Sequence, residues 1–357
     1  MKIEQISTPT HETVMSCNDP ESGLQAFIAV HDTTLGPSLG GCRMWKYDSA
    51  ADALADVLRL SAGMTAKAAL VGVPFGGGKA VIMGDPHTEK TPEKMRAFGR
   101  FVEALGGRYI SAEDVGMSPA DMMIAAQETS YMTGLPDGPL ASGDPSPYTA
   151  ELVFRCMKSA LLQVFGASDL IGRRVAVQGL GHVGRSLAER LHQAGAQLIV
   201  ADINAEATGW AAGTLGAEIA DPQAIHRAEA EIFAPCALGG TLNAETIPEI
   251  SAAIVCGSAN NQLAVDADAD RLAARGMLYC PDYVVNSGGL LSVAREALKV
   301  TDLDWTLRKL DTAAEKFSSL LAFAQQKSIS PVDAADQMVE AILHEARQGP
   351  SKERNGT

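Results

Sequence analysis

Hydrophobic residues recur along the first part of the chain with the periods of strands and helices. Alternation over residues 24–31 predicts a strand. Helical spacing then predicts a helix that begins near Ser49 and carries an apolar stripe of Leu54, Val57, Leu58, Ser61, Met64 and Ala68. Lys67 falls at the margin of this stripe, one turn beyond Met64, so we expect its side chain to reach a cleft.

Capping residues mark the next elements. Thr91 before Pro92 and Glu93 predicts a helix start, and Gly106 with Gly107 predicts its end. The apolar run RYISA at residues 108–112 predicts a strand, and Ser118-Pro119 predicts another helix start.

The most specific pattern lies in the second half. Residues 174–178 predict a strand that runs into the glycines of GxGxxG at Gly179, Gly181 and Gly184 and then into a helix. A second strand over residues 197–200 ends at Asp202. The same glycines also fit a plain turn of an unrelated doubly wound fold, but the strand, the helix and the acid together favour dinucleotide binding. Because Asp202 would repel a 2′-phosphate and no arginine follows, the pattern favours NAD over NADP.

A crossing rich in proline, glycine, aspartate and serine, LPDGPLASGDPSP at residues 135–147, marks the domain boundary. We predict an α/β protein with two domains around a cleft. Residues 1–140 form a substrate-binding and catalytic domain and residues 141–325 a Rossmann dinucleotide-binding domain. The late helices, from about Thr306, should return toward the first domain and complete it over about 325–350, with the last helix beginning at Ser330-Pro331.

Two lysines flank a triple glycine, which makes residues 63–83 the first candidate site. Lys67 and Lys79 sit among apolar residues, where burying a cation is costly, so positive charge for a carboxylate ligand is indicated. The glycines at 76–78 should leave backbone N–H groups open to a ligand. The spacing excludes a phosphate-binding P-loop. A flexible turn with a solvated lysine is the alternative.

Glu113 and Asp114 follow the strand predicted at 108–112. Acids at a strand end fit either a helix-capping role or an active site, because sites of open α/β sheets gather there.

Composition narrows the class of protein. The chain has 357 residues, 46% hydrophobic and 20% charged, which suits a globular fold of about two domains. A net charge of −14 disfavours nucleic acid, and no apolar run is long enough to suggest a membrane span. No signal peptide is evident at the N-terminus. The spacing of six cysteines and seven histidines suggests neither a disulfide framework nor a metal site, so we expect a cytoplasmic protein without a metal.

Many segments also resemble, in the same order, motifs of the Glu/Leu/Phe/Val dehydrogenase family, especially its leucine-type members. They are GPSLGGCRMW, MTAKAAL, GGGKAVI, GRYISAEDVG, SGDPSPYTA, VQGLGHVG, FAPCALGG, CGSANNQL and PDYVVNSGG. The series spans nearly the whole chain.

The resemblance implies an NAD-dependent enzyme that deaminates an L-amino acid to its 2-oxo acid and ammonia. It implies that Lys67 binds the substrate carboxylate, that Lys79 activates water and that Asp114 moves protons at the amine. Substrate-pocket positions would be Leu39, Gly40, Gly41, Met64, Ala112, Asn261, Leu290 and Val293. Cofactor positions would be Thr149, Gly179, Leu180, Gly181, His182, Val183, Gly184, Asp202, Ile203, Cys236, Ala237 and Asn260.

The pocket positions are mostly apolar, so we expect branched aliphatic substrates such as leucine, valine and isoleucine rather than glutamate. Leu290, Ser287 and Tyr148 depart from the leucine-type pattern, which keeps an aromatic substrate, phenylalanine or tryptophan, as the alternative. A regulator that senses NAD without catalysis is the other alternative. The family also implies a homo-oligomer, a dimer or an octamer.

Overall fold

The computed structural model describes residues 1–138, 140–302 and 304–348. The chain forms two compact units, and each has its own sheet. The first unit contains Met1–Asp144, Ser292–Trp305 and the chain from Val339, and the second contains Pro145–Leu291 and Thr306–Met338.

The first unit is a mixed six-stranded sheet in the order β1-β2-β3-β5-β4-β6. Strand β4 pairs in parallel with both β5 and β6, and the other pairs are antiparallel. The elements are β1 Lys2–Gln5, β2 Thr13–Asp19, β3 Leu24–Asp32, β4 Ser38–Trp45, α1 Ala50–Val71, β5 Gly76–Met83, α2 Pro92–Glu103, β6 Tyr109–Glu113 and α3 Pro119–Ala125.

Alternate residues of this sheet enter two cores. Ile28 and Val30 of β3 join the core that contains Phe98 of α2, whereas Phe27 and Ala29 join the core that contains Val57 of α1. Both faces of the central strands are therefore covered, which explains their nearly continuous burial.

The expected helix starts are confirmed by their caps. The Ser49 hydroxyl accepts the Asp52 N–H at 3.2 Å, and Thr91 accepts the Lys94 N–H at 3.2 Å. Ser118 and Asp121 form a reciprocal capping box. Each cap satisfies an N–H group that lacks an intrahelical partner.

The triple glycine differs from the expectation. Gly76, Gly77 and Gly78 are buried within β5; the last two pair with β3, and the first two pair with β4. A Cβ at Gly77 would lie 2.1 Å from Thr65 Oγ1 of α1, and one at Gly78 would lie 2.7 Å from the Tyr109 ring of β6. The prediction that these glycines open the backbone to a ligand was wrong, because they let neighbouring elements approach β5.

The second unit is a parallel six-stranded sheet in the order β12-β11-β10-β7-β8-β9. Its elements are α4 Ser146–Phe165, β7 Arg174–Gln178, α5 His182–Gln193, β8 Gln197–Ala201, α6 Ala205–Leu215, β9 Glu218–Ile219, β10 Ile232–Pro235, β11 Ile254–Val255, α7 Ala267–Ala274, β12 Leu278–Tyr279 and α8 Asp282–Val285. The predicted order of strand, glycine turn, helix and strand is confirmed.

The last helices are α9 Gly288–Ala297, α10 Trp305–Lys327 and α11 Pro331–Gln348. Helix α10 belongs almost entirely to the second unit, so the chain returns to the first unit later than the expected Thr306, from Val339, which lies within the span of about 325–350 that we expected to complete that unit. The part of α11 up to Met338 also stays with the second unit, where Val332 packs against the core of Ile225, Leu242 and Leu272. Burial of the apolar Val332 side chain against this core favours the association of this part of α11 with the second unit. No helix in the described ranges is both long and apolar enough to span a bilayer.

Candidate active site

Two of the predicted catalytic residues are in contact. Lys79 lies within β5 with a side chain 8% exposed, and its Nζ is 2.6 Å from Oδ2 of Asp114, which follows β6. Strand β4 lies between β5 and β6 and is parallel to both, which brings their C-terminal halves to one edge of the sheet. Residues 35 positions apart thus form one buried ion pair.

The charges around Asp114 keep it ionised. Burial opposes the carboxylate form, but the charges of Lys79 and then Arg43 outweigh burial, so the pKa of Asp114 lies below its ordinary value.

Arg43 on β4 was missed by the sequence reasoning. Its Nε lies 3.4 Å from the same Asp114 oxygen, and its Nη1 donates to Asp56 of α1 at 3.0 Å. An arginine inside an otherwise apolar strand, SLGGCRMW, was the available signal. Glu113 is half-buried, and burial, then the charges of Asp144 and Asp114, raise its pKa.

The glycines of β4 let the neighbouring strands approach β4 closely, because a Cβ at Gly40 would lie 1.8 Å from the Gly78 oxygen and one at Gly41 would lie 2.6 Å from the Glu113 oxygen. A Cβ at Gly41 would lie 2.9 Å from the Asp114 Cβ, and one at Gly40 would lie 3.3 Å from Met64 Cγ. Met64 lies on α1 one turn before Lys67, which is partly buried. Leu39 of β4 pairs with Ile110 of β6, and Ala112 of β6 pairs with Gly41 of β4. Leu39 and Ala112 are both buried. The first unit therefore brings together Gly40, Gly41, Met64, Lys79 and Asp114.

The glycine fingerprint of the second unit has the geometry of a dinucleotide cradle. Gly179 has a φ of 97°, and a Cβ there would lie 2.8 Å from Ala237. A Cβ at Gly184 would lie 2.0 Å from the Gly179 oxygen and 3.3 Å from the Cys236 Cβ. Gly181, the N-cap of α5, has open space where its Cβ would be. A Cβ at Gly181 would fill this space, which suits a pyrophosphate at the positive end of α5.

Other cofactor positions surround this turn. His182 is exposed and Val183 partly exposed in the first turn of α5. The Asp202 carboxylate accepts the Leu180 N–H at 2.6 Å and the Asn204 N–H at 2.8 Å, so it is fixed at the end of β8. Ile203 beside it is 96% exposed.

A second turn of this unit holds Asn260 and Asn261. Asn261 has a left-handed φ of 53°, and its N–H donates to Asp282 Oδ2 at 2.7 Å. Asn286 donates to the Asn260 side-chain oxygen at 2.7 Å. Asp282 and Asn286 were missed as supports of this turn, although both lie in the motif PDYVVNSGG.

The remaining predicted residues lie at helix starts. Thr149 is in the first turn of α4, and a Cβ at Gly289 would lie 3.0 Å from its hydroxyl. Leu290 and Val293 are partly exposed and one turn apart on α9. Among the described residues, no group of three or more histidine, cysteine, aspartate or glutamate side chains is arranged to hold a metal ion.

Known protein families match this chain along most of its length. Residues 11–131 match the model of the Glu/Leu/Phe/Val dehydrogenase dimerisation domain, and residues 210–346 match that of Glutamate/Leucine/Phenylalanine/Valine dehydrogenase. A leucine dehydrogenase of Geobacillus stearothermophilus is 47% identical over 98% of this chain and 95% of its own length.

Two further relatives are named after aromatic amino acids. A phenylalanine dehydrogenase of Bacillus thermotolerans is 46% identical over 92% of this chain and 87% of its own. The crystal structure of L-tryptophan dehydrogenase from Nostoc punctiforme is 39% identical, covers 95% of this chain and 97% of its own, and superposes with a TM-score of 0.83.

Proposed function

The chain belongs to the Glu/Leu/Phe/Val dehydrogenase family, and from that membership we propose that it catalyses the reversible, NAD-dependent oxidative deamination of L-leucine, and of valine and isoleucine, to 2-oxo acids and ammonia. It is an amino-acid dehydrogenase, and such an enzyme needs a nicotinamide cofactor. The observation that carries the proposal is the Lys79–Asp114 ion pair, 2.6 Å apart, next to the closely packed glycine Gly41.

The first unit would bind the amino acid and perform the proton transfers. Lys67 would hold the α-carboxylate, which leaves the amine and Cα for Lys79 and Asp114. Asp114 would take the proton of the amine, and Lys79 would take a proton from the water that attacks Cα. The paired charges hold both groups in position before the substrate arrives.

The second unit would bind NAD, which would accept the hydride of the substrate Cα. Gly179, Gly181 and Gly184 would leave space for the pyrophosphate, and Asp202 would accept hydrogen bonds from the adenosine ribose. Thr149, Cys236, Ala237 and the Asn260-Asn261 turn would line the cofactor and substrate. The repulsion of a 2′-phosphate by Asp202 supports NAD over NADP.

The apolar residues Leu39, Met64, Ala112, Leu290 and Val293 support an aliphatic side chain as substrate. The phenylalanine and tryptophan dehydrogenases among the relatives make an aromatic amino acid the second candidate. A purely NAD-sensing protein would not need Lys67, Lys79 and Asp114 together, which is why we favour the enzyme.

A panel of L-amino acids with NAD, followed by NADH absorbance, tests this proposal. We expect leucine, valine and isoleucine to be the best substrates and to differ by about 1–3 kcal/mol per methylene, with glutamate barely turned over. Faster turnover of phenylalanine or tryptophan would promote the second candidate. An absence of NADH formation with every amino acid would refute the enzyme.

We also propose a homo-oligomer, because residues 11–131 match a dimerisation domain. Sedimentation of the 37.4 kDa chain should then give a dimer or an octamer and little monomer. We also propose a cytoplasmic location without nucleic-acid or membrane partners. The negative net charge supports the absence of a nucleic-acid partner.

A further inference from the structure

We propose that Arg43 is a positioning residue of the reaction: it holds Asp114 against Lys79 and is itself held by Asp56, so that these four charged side chains of the first unit act as one network. The inference rests on the function proposed above.

The place of Arg43 in the sheet puts it beside both catalytic strands. The preceding residue, Cys42, is in register with Ala80 of β5 and with Glu113 of β6. Ala80 follows Lys79 and Glu113 precedes Asp114. Arg43, the next residue of β4 after Cys42, is therefore close to both catalytic candidates along the sheet. Its side chain is 17% exposed, so most of the guanidinium charge is removed from water and must be balanced inside the protein.

Two carboxylates supply that balance. Asp114 Oδ2 lies 3.4 Å from Arg43 Nε, and Asp56 Oδ2 accepts Nη1 at 3.0 Å. The Tyr47 hydroxyl donates at 2.7 Å to the same Asp56 oxygen and fixes it, whereas Arg59 contacts the other oxygen, Oδ1, at 2.8 Å from the exposed side. The planar guanidinium reaches both carboxylates at once, which a single ammonium cannot do.

The contact with Asp114 is a charge contact without hydrogen-bond geometry. Arg43 Nε is buried and makes no hydrogen bond, whereas Asp114 Oδ2 also lies 2.6 Å from Lys79 Nζ. A buried polar atom such as this Nε is costly to leave unsatisfied. Catalytic hydrogen bonds are often long without substrate and tighten when it binds, so we expect the Arg43–Asp114 contact to shorten in the substrate complex.

Electrostatics gives Arg43 a specific effect on the reaction. Lys79 and Arg43 approach the same oxygen of Asp114. The charges of Lys79 and Arg43 both lower the pKa of Asp114, so Arg43 helps to keep this carboxylate ionised. The groups that face Asp114 are Lys79 from β5, Arg43 and Cys42 from β4, and Glu113 and Tyr109 from β6. Burial raises the pKa of Cys42 and Tyr109 well above their ordinary values, so both stay neutral near neutral pH.

The test compares Arg43→Gln, Arg43→Lys and Asp56→Asn with the control Arg59→Gln. Arg59 contacts the other oxygen of Asp56, away from the one that Arg43 contacts, and its side chain is 56% exposed. The readouts are the pH profile of kcat/KM, the separate kcat and KM for leucine, the thermal midpoint, and NAD binding by fluorescence titration.

We expect Arg43→Gln to move the acid limb of the kcat/KM profile to higher pH by about 1–3 units, the effect of losing an opposite charge next to a carboxylate. The loss should fall on kcat, by about 10-fold or more at pH 8, with a smaller change in KM. Arg43→Lys and Asp56→Asn should give smaller shifts in the same direction, and Arg59→Gln should leave the limb unchanged. NAD affinity should be the same in all four proteins, which also shows that the second unit is folded.

The inference is overturned if Arg43→Gln is folded, binds NAD and keeps the limb of the unsubstituted protein, or if Arg59→Gln shifts the limb equally. Should Arg43→Gln fail to fold, the folded Arg43→Lys and Asp56→Asn proteins decide by the same criterion. These outcomes are separate from failure of the proposed function, in which the unsubstituted protein would itself lack activity with every amino acid.

Discussion

Individual side chains divide the work of the proposed reaction, and the two lysines are the clearest case. Lys79 contacts Asp114 inside the sheet, whereas Lys67 lies on α1 near the pocket residue Met64. Their charges are equal, but their surroundings differ, because one is within a strand and the other is near the end of a helix. We therefore expect removal of Lys67 and removal of Lys79 to change different kinetic parameters.

Lys67→Ala should mainly raise KM for leucine, by about 10- to 100-fold, because a charged hydrogen bond to the carboxylate is lost from the ground and transition states alike. Lys79→Ala should lower kcat by about 10²- to 10⁴-fold, because the base for water attack is lost. Steady-state kinetics measures both values. Added small primary amines should restore only the second variant, and identical kinetic defects would contradict this division.

At the scale of elements, close packing of β5 against α1 supports the site. The glycines of β5 have a packing role, whereas Gly63 lies in α1 with open space where its Cβ would be. Gly77 of β5 and Gly63 of α1 offer a matched test of this packing, because the same glycine-to-alanine change is made on two elements that contact each other.

Gly77→Ala should lower the free energy of unfolding by at least about 3 kcal/mol, because the new Cβ would meet backbone atoms of Thr65 and Ser61 at 2.2 and 2.4 Å. Gly63→Ala should raise it by about 0.5–1 kcal/mol, because alanine suits a helix interior better than glycine. Thermal unfolding of both variants measures the difference. A Gly77→Ala protein as stable as the Gly63→Ala protein would refute the packing role.

A histidine pair ties the N-terminal strands to the same helix. His11 and His31 meet edge to face with ring centroids 4.8 Å apart, and they contact Ser61 and Thr65 of α1 at 2.9 and 2.8 Å. Burial lowers the pKa of both histidines, and the neighbouring histidine lowers that of His11 further. The charges of Asp32 and Glu12 oppose this effect at His31, whereas Arg347 adds to it.

Because both folded-state pKa values lie below the ordinary value of 6.5, the neutral rings stabilise the fold fully above about pH 6.5. This stability is lost as pH falls below 6.5, with a slope of at most about 1.4 kcal/mol per pH unit for each histidine. Thermal midpoints between pH 5 and 8 should show the decline, and His31→Asn should flatten it. An unchanged slope in that variant would assign the decline to other groups.

At the scale of the whole molecule, a ligand that binds one unit stabilises the folded chain by mass action. The fingerprint turn, with Asp202 fixed at the end of β8, predicts which nicotinamide nucleotide has this effect. NAD at 100 times its Kd should add about 2.7 kcal/mol to the free energy of unfolding, and NADP at the same concentration should add much less. Asp202→Ser should narrow the gap, because it removes the repulsion of the 2′-phosphate. Equal midpoint shifts from NAD and NADP in the unsubstituted protein would refute this choice of cofactor.

The sequence by itself determined the features that depend on residues close together in the chain. The caps at Ser49, Thr91 and Ser118 and the glycine fingerprint were predictable, because their hydrogen bonds and turn conformations form within a few residues. The identity of Lys79 and Asp114 as candidate residues was also predictable, although from a resemblance as much as from chemistry.

Only the tertiary structure decided which distant residues meet. Arg43 joins Asp114 because β4 lies between β5 and β6, an order of strands that no local pattern encodes. The triple glycine became a buried strand because α1 and β6 pack on it, and α10 stayed with the second unit. Strand order and the cover of an apolar face are set by the packing of the whole core, where many weak contacts far apart in sequence act together.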